Sequence, residues 1–147
     1  MKVIARNKLA SYNYFLEEKY EAGIKLKGSE IKSIRAGKVS INEAYINFRN
    51  NEAYIINMHI ASYKQAGIFN HQENRTKKLL LKKNQIISLA TKATAEGYSV
   101  IPVSIYLKDG LAKVEIALAR GKKNYDKRED LKRKDQERRM EKVIKRY

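Results

Sequence analysis

The sequence predicts a mainly β fold, a small OB-type β-barrel of five or six short antiparallel strands with helices set between them, followed by a basic tail. Three observations predict it. Aromatic and β-branched residues alternate with polar ones in several short runs, the pattern of half-buried strands. An Asp109–Gly110 pair separates two of those runs at the spacing of a two-residue hairpin turn. The pattern then stops: RGKKNYDKREDLKRKDQERR, residues 120–139, holds one aliphatic residue, Leu131, and one aromatic, Tyr125. The 147 residues therefore divide into a barrel, 1–119, and a tail, 120–147, that cannot offset its own ordering cost and is expected to be disordered when free.

The elements follow in order. YNYFLEEKYEAGIKLKG (12–28) alternates in pieces, with Tyr12, Tyr14 and Leu16 on one face, and reads as one or two strands. SEIKSIRAG (29–37) reads as a short helix, N-capped by Ser29, ended by Gly37, with Ile31 and Ile34 inward. AYINFR (44–49) and AYIINMHI (53–60) read as a hairpin, with Ile46 and Phe48 on one face and Tyr54, Ile56, Met58 and Ile60 on another. Residues 61–78 show no sustained period and read as a long basic loop. LLLKKNQIISLATKATAEG (79–97) holds a second helix, capped by Asn84 and stopped by Gly97, with Ile86, Ile87 and Ala90 inward. YSVIPVSIYL (98–107) and LAKVEIALA (111–119) make the clearest hairpin; Pro102, without an N–H, places its strand at an edge or at a bulge. Five or six antiparallel strands must hide their edges, and a small closed barrel does so.

Charge narrows the function. Lys and Arg number 32 against 16 Asp and Glu, and both parts share the excess: 13 against 6 in the tail, 19 against 10 before it. A polyanion that touches both parts is the expected partner, nucleic acid first. An anionic membrane surface fits less well, because the tail lacks the broad apolar face of an interfacial helix. No apolar run approaches the ~20 residues that span a bilayer, and MKVIARNKLASYN has no long apolar core of a secretory signal. The chain has no Cys, which removes disulfides, thiolate nucleophiles and cysteine metal sites and fits a reducing, cytoplasmic compartment.

No catalytic constellation stands out. His59 and His71 lie twelve residues apart, neither with a metal-ligand companion at helical or hairpin spacing, and GKK at 121–123 lacks the rest of a phosphate loop. The reading is of a non-enzyme, without metal or cofactor. Two basic clusters carry the functional signal instead. Lys32, Arg35 and Lys38 recur at spacings of three along a short helix and its exit, and Arg75, Lys77, Lys78, Lys82 and Lys83 surround three leucines. Such clusters neutralise phosphates and release counterions, and OB-type barrels commonly bind nucleic acid on one face.

Longer phrases carry a family resemblance. YFLEEKYEAGIKLKGSEIKSIRAGKVSINEAY (14–45), NRTKKLLLKKNQI (74–86) and GYSVIPVSIYLKDGLAKVEIALARGKKNYDKRE (97–129) resemble, in this order, the SmpB family, the protein partner of transfer-messenger RNA in bacterial ribosome rescue. The resemblance implies an OB-fold of about six strands with three helices. It also implies binding of the tRNA-like domain of transfer-messenger RNA and its delivery to a ribosome stalled on incomplete mRNA. The tail would become helical in the small-subunit decoding site and empty mRNA path. By motif, Glu21 with Ala22 and Gly23 in EAG, and Leu80 in the leucine run, belong to the RNA-binding surface. The expected RNA-binding set adds Lys32, Arg35, Lys38, Asn70, Arg75, Lys77, Lys78 and Lys82. The tail motifs give Gly121, Lys122, Lys123, Asp126, Lys127 and Arg128 as ribosome contacts, with Tyr125, Lys132 and Arg133 beside them. The protein is expected to act as a monomer. Two other readings stay open from the residues alone: a general basic OB-fold protein that binds single strands or ribosomal RNA as a structural component, and a small nuclease.

Overall fold

The computed structural model describes residues 1–95, 97–122, 128, 131–133, 136 and 138. In chain order these form β1 (Lys2–Arg6), α1 (Ala10–Asn13), β2 (Tyr14–Ile24), α2 (Gly28–Arg35), β3 (Val39–Ser40), β4 (Tyr45–Arg49), β5 (Glu52–Ile56) and β6 (His59–Ile60). A 3₁₀ turn (Lys64–Phe69), β7 (Lys77–Leu80), α3 (Lys83–Ala95), β8 (Ser99–Lys108) and β9 (Leu111–Gly121) follow. Seven strands make one antiparallel sheet in the order β1-β8-β9-β2-β7-β5-β4, and β3 pairs with β6 in a second, two-stranded sheet. The large sheet curls until β4 packs back against β8 and β1 against β3, which closes the barrel. The core inside includes fully buried Ile34, Ile41, Ile55, Met58, Ile60, Leu79, Leu89, Ile105 and Ile116. Each such side chain contributes roughly 1.5–3 kcal/mol by leaving water.

The β8–β9 hairpin forms as its turn residues dictate. Asp109 and Gly110 both take positive φ, +53° and +77°, the backbone of a type I′ turn. Pro102 lies in an inner strand, not an edge, and the ladder shifts register between Pro102 and Ser104: the bulge absorbs its missing N–H. β2 is a single eleven-residue strand whose own register shift, between Leu16 and Lys19, explains its broken alternation. Tyr12 belongs to α1, not to this strand.

Several expected details change. α2 starts at Gly28, and Glu30, not Ser29, caps it: the Glu30 carboxylate accepts the Lys27 N–H at 2.8 Å. Its other end is as expected. Gly37, at φ +77°, donates to the Ile34 carbonyl, and Lys38 N–H donates to that of Ser33. α3 starts at Lys83, one residue before Asn84, with the Gln85 side chain accepting the Lys82 N–H. Its inward face is Ile86, Leu89 and Ala93, while Ile87 points to solvent. In the β4–β5 hairpin, Ala53 and Ile55 face the core. Tyr54 and Ile56 lie on the other side, and positive φ at Asn57 (+61°) flips the phase so that Met58 and Ile60 turn inward. The segment 61–78 is not one loop. It holds the 3₁₀ turn and the start of the inner strand β7, and β1 was not expected at all.

Candidate nucleic-acid interface

The outer face of the sheet gathers the motif residues. β2 alternates Glu21 outward, Ala22 fully buried, Gly23 outward. Gly23 pairs with Leu80 of β7 on one side and with Lys113 of β9 on the other. Opposed residues share a face, so Leu80 stands outside the barrel, and it is 54% exposed. It lies close over Gly23: a Cβ built there would meet the Leu80 Cβ at 3.2 Å. The glycine thus allows the leucine its position. Core packing does not explain Leu80.

Glu21 is fixed from β8. The Tyr106 hydroxyl donates to its Oε2 at 2.5 Å, and the Lys108 ammonium lies 3.5 Å from the same oxygen. Tyr106's hydrogen bond, the largest cause, holds the carboxyl below the ordinary range against the opposing effect of burial, with Lys108 and Lys113 adding smaller pulls in the same direction. Burial first, and the Glu21 carboxylate next, push the Tyr106 phenol well above its ordinary value. Tyr106, Lys108 and Lys113 were not among the sequence candidates. The signal was present: the Asp109–Gly110 turn fixes the hairpin register, and Tyr106 and Lys108 fall at strand period on one face.

The two basic clusters lie beside this face. On α2, Lys32 and Arg35 are exposed, as is Lys38 beyond it. The Arg35 guanidinium comes within 3.5 Å of the Gly110 carbonyl, at the turn that follows Lys108. The Lys32 ammonium sits 5.3 Å over the Tyr63 ring. From the second cluster, Lys78 lies on the outer face, 3.3 Å from Glu52, and Lys82 is exposed ahead of α3. Arg75 grips the Glu30 carboxylate through Nε (3.2 Å) and Nη2 (2.5 Å). With Lys25, Lys27, Tyr54 and Lys78 it also lines a cleft of about 320 Å³.

Three expected ligands are engaged within the fold. Lys77 points into the barrel, wholly buried, and its ammonium donates to the Met58 carbonyl at 2.7 Å, so it meets no phosphate. The Ala22 side chain is sealed in the core. Asn70 uses its amide to close the 3₁₀ segment: Nδ2 donates to the Tyr63 carbonyl at 2.9 Å, and Oδ1 accepts the N–H groups of Tyr63 and His71 at 3.1 Å. His71 anchors the same segment below. The Ile60 carbonyl can only accept, so Nε2 donates to it at 2.9 Å, and Ser29 meets Nδ1 at 2.8 Å.

At the end of the barrel, Arg120 and Gly121 belong to β9 rather than to the tail. They pair with Phe15 and Tyr14. Lys122 N–H donates to the Asn13 carbonyl at 2.9 Å, and the Arg120 and Lys122 cations stand 4.6 and 4.9 Å over the Phe15 ring. Arg128, Lys132 and Arg133 are exposed on helical backbone. Lys123, Tyr125, Asp126 and Lys127, and most of the stretch expected to be disordered, lie outside the described residues.

The chemistry this surface offers is recognition: cations for phosphates, one fixed carboxylate for N–H or O–H donors, one bare leucine for the face of a base or sugar. Among the described residues no group of three or more His, Asp or Glu is placed to hold a metal ion, and no helix is long and apolar enough to cross a membrane.

Comparison with known proteins shows the family. The family model described as SmpB protein matches residues 4–146. The chain is 54% identical to the SsrA-binding protein of Acholeplasma laidlawii, across 99% of this chain and 97% of that one. It is 51% identical to the SsrA-binding protein of Shouchella clausii, across 98% and 92%. Among solved structures it is similar to a chain described as "tmRNA-SmpB: a journey to the center of the bacterial ribosome", with 41% identity, a TM-score of 0.70, and 84% of this chain and 87% of that one covered. The chain belongs to the SmpB family.

Proposed function

We propose that this protein binds the tRNA-like domain of transfer-messenger RNA and delivers it to ribosomes stalled on incomplete mRNA. It acts as a monomeric cytoplasmic RNA-binding protein, not as an enzyme. The tail enters the decoding site and the empty mRNA path. One observation carries the reading: Glu21, tied to Tyr106, and exposed Leu80 over Gly23 share one outer face. Family membership across residues 4–146, and relatives that carry the name SsrA-binding protein, support the choice of RNA. Glu21 and Leu80 contact the RNA, and exposed Lys32, Arg35, Lys38 and Lys82, with half-buried Lys78, neutralise its phosphates.

Competition binding tests this. Transfer-messenger RNA should outcompete bulk cellular RNA strongly at physiological salt. Alanine at any of these five cations should flatten the slope of log K against log salt by about 1 for each phosphate no longer neutralised. Equal affinity for both RNAs would leave a general basic RNA-binding barrel, and the proposal would fail.

A further inference from the structure

We propose that Tyr106 is a positioning residue for RNA recognition, holding the Glu21 carboxylate at one place on the outer face of the sheet. The proposal rests on the reading of Glu21 as an RNA contact. The geometry is specific. β9 lies between β8 and β2, so the tyrosine reaches across a whole strand to find its partner. Its hydroxyl ends 2.5 Å from Glu21 Oε2. A phenylalanine would fill the same space and stop short of the bond. Tyr106 is packed in place, only 5% exposed, whereas the Glu21 side chain is 40% exposed and would otherwise move among rotamers.

The surroundings make that choice matter. Lys108 of β8 and Lys113 of β9 both draw the carboxylate, and Glu115 of β9, a like charge, stands directly opposite Glu21. Glu115 in turn sits 3.9 Å from Lys19. Released from Tyr106, Glu21 would be redistributed among these surface charges instead of being held ready for a donor on the RNA. A bond fixed before binding saves the ordering that binding would otherwise require. The hydroxyl also favours the ionised, acceptor-only form of the carboxyl. Tyr106 need not touch the RNA to do either.

The test is a double-mutant cycle on the full chain, with transfer-messenger RNA at fixed salt and four proteins: the wild type, Tyr106→Phe, Glu21→Ala and the double variant. Tyr106→Phe should bind about tenfold more weakly, the loss expected for one hydrogen bond to a charged group. Glu21→Ala should lose at least as much, and the double variant no more than Glu21→Ala alone. Carbon NMR of the Glu21 carboxyl supplies a readout independent of RNA, with its titration moving to higher pH in Tyr106→Phe. Wild-type binding by Tyr106→Phe, losses that add in full, or an unmoved titration would overturn the positioning role. Wild-type binding by Glu21→Ala would instead overturn the reading of Glu21, and the proposal with it.

Discussion

Lys77 should make the protein more stable as the pH rises from 7.5 to 9.5. Its side chain is wholly buried, with the ammonium on the Met58 carbonyl. Loss of solvation pulls its pKa from the ordinary 10.5 to about 8; Glu30 opposes the drop and Arg75 adds to it. In the unfolded chain the lysine keeps its ordinary value. Between those values the folded protein has released a proton that the unfolded chain still holds. The unfolded state therefore binds more protons, and stability increases with pH through this window. From pH 7.5 to 9.5 the gain is about 2 kcal/mol, or a rise in Tm of roughly 4–8 °C for a chain of this size. The window closes at about pH 10, because burial and the Glu21 carboxylate hold the Tyr106 phenol above its ordinary value. Higher pH then favours the unfolded chain, whose tyrosines ionise first. Thermal melts at pH 7.5, 8.5 and 9.5 read the slope, and Lys77→Met removes the titrating group. A flat Tm in the wild type, or the same rise in Lys77→Met, would refute the reasoning.

The packing of Leu80 on Gly23 predicts that Gly23→Ala weakens RNA binding severalfold and costs about 1 kcal/mol of stability, since the new methyl meets the Leu80 Cβ at 3.2 Å and β7 must shift by a few tenths of an ångström to admit it. Parallel melts and binding curves check it, and unchanged affinity would remove Leu80 from the interface. The pairing of Arg120 and Gly121 sets where the tail can be cut. Truncation after Lys122 should keep the Tm and the affinity for transfer-messenger RNA but abolish peptide tagging on stalled ribosomes, whereas truncation after Ala119 should also lower the Tm. Full-rate tagging by the protein ending at Lys122 would make the tail a solvated appendage.

What was legible in the sequence was local. The β8–β9 hairpin follows from Asp109–Gly110 and two alternating runs, and the end of α2 follows from Gly37; both need only neighbours in the chain. β1 was missed because Val3, Ile4 and Ala5 are each half-buried, leaving a five-residue strand without alternation. β7 was missed for a deeper reason. Its inward residues are Lys77 and Leu79, and a charged residue at a core position erases the strand signal. Burial of Lys77 depends on the Met58 carbonyl, nineteen residues away, which no local pattern shows. Charge placed Lys77 and Arg75 in one cluster, yet one lies inside the barrel and the other holds Glu30. Ser29 was misread as a cap, and the local bonds of Asn70 were hidden in the same way. Ser29 instead meets His71, and Asn70 closes the segment above it. These misread residues have a common position. Glu30–Arg75, Ser29–His71 and Ser33 on the Ala61 carbonyl all tie α2 to the segment that leads into β7. α2 carries one basic cluster, and that segment runs into the other. The buried polar bonds therefore fix Lys32 and Arg35 relative to Lys78 and Leu80, and a surface that must match the spacing of phosphates needs that fixed distance. Residues that looked like ligands hold in register the residues that face outward.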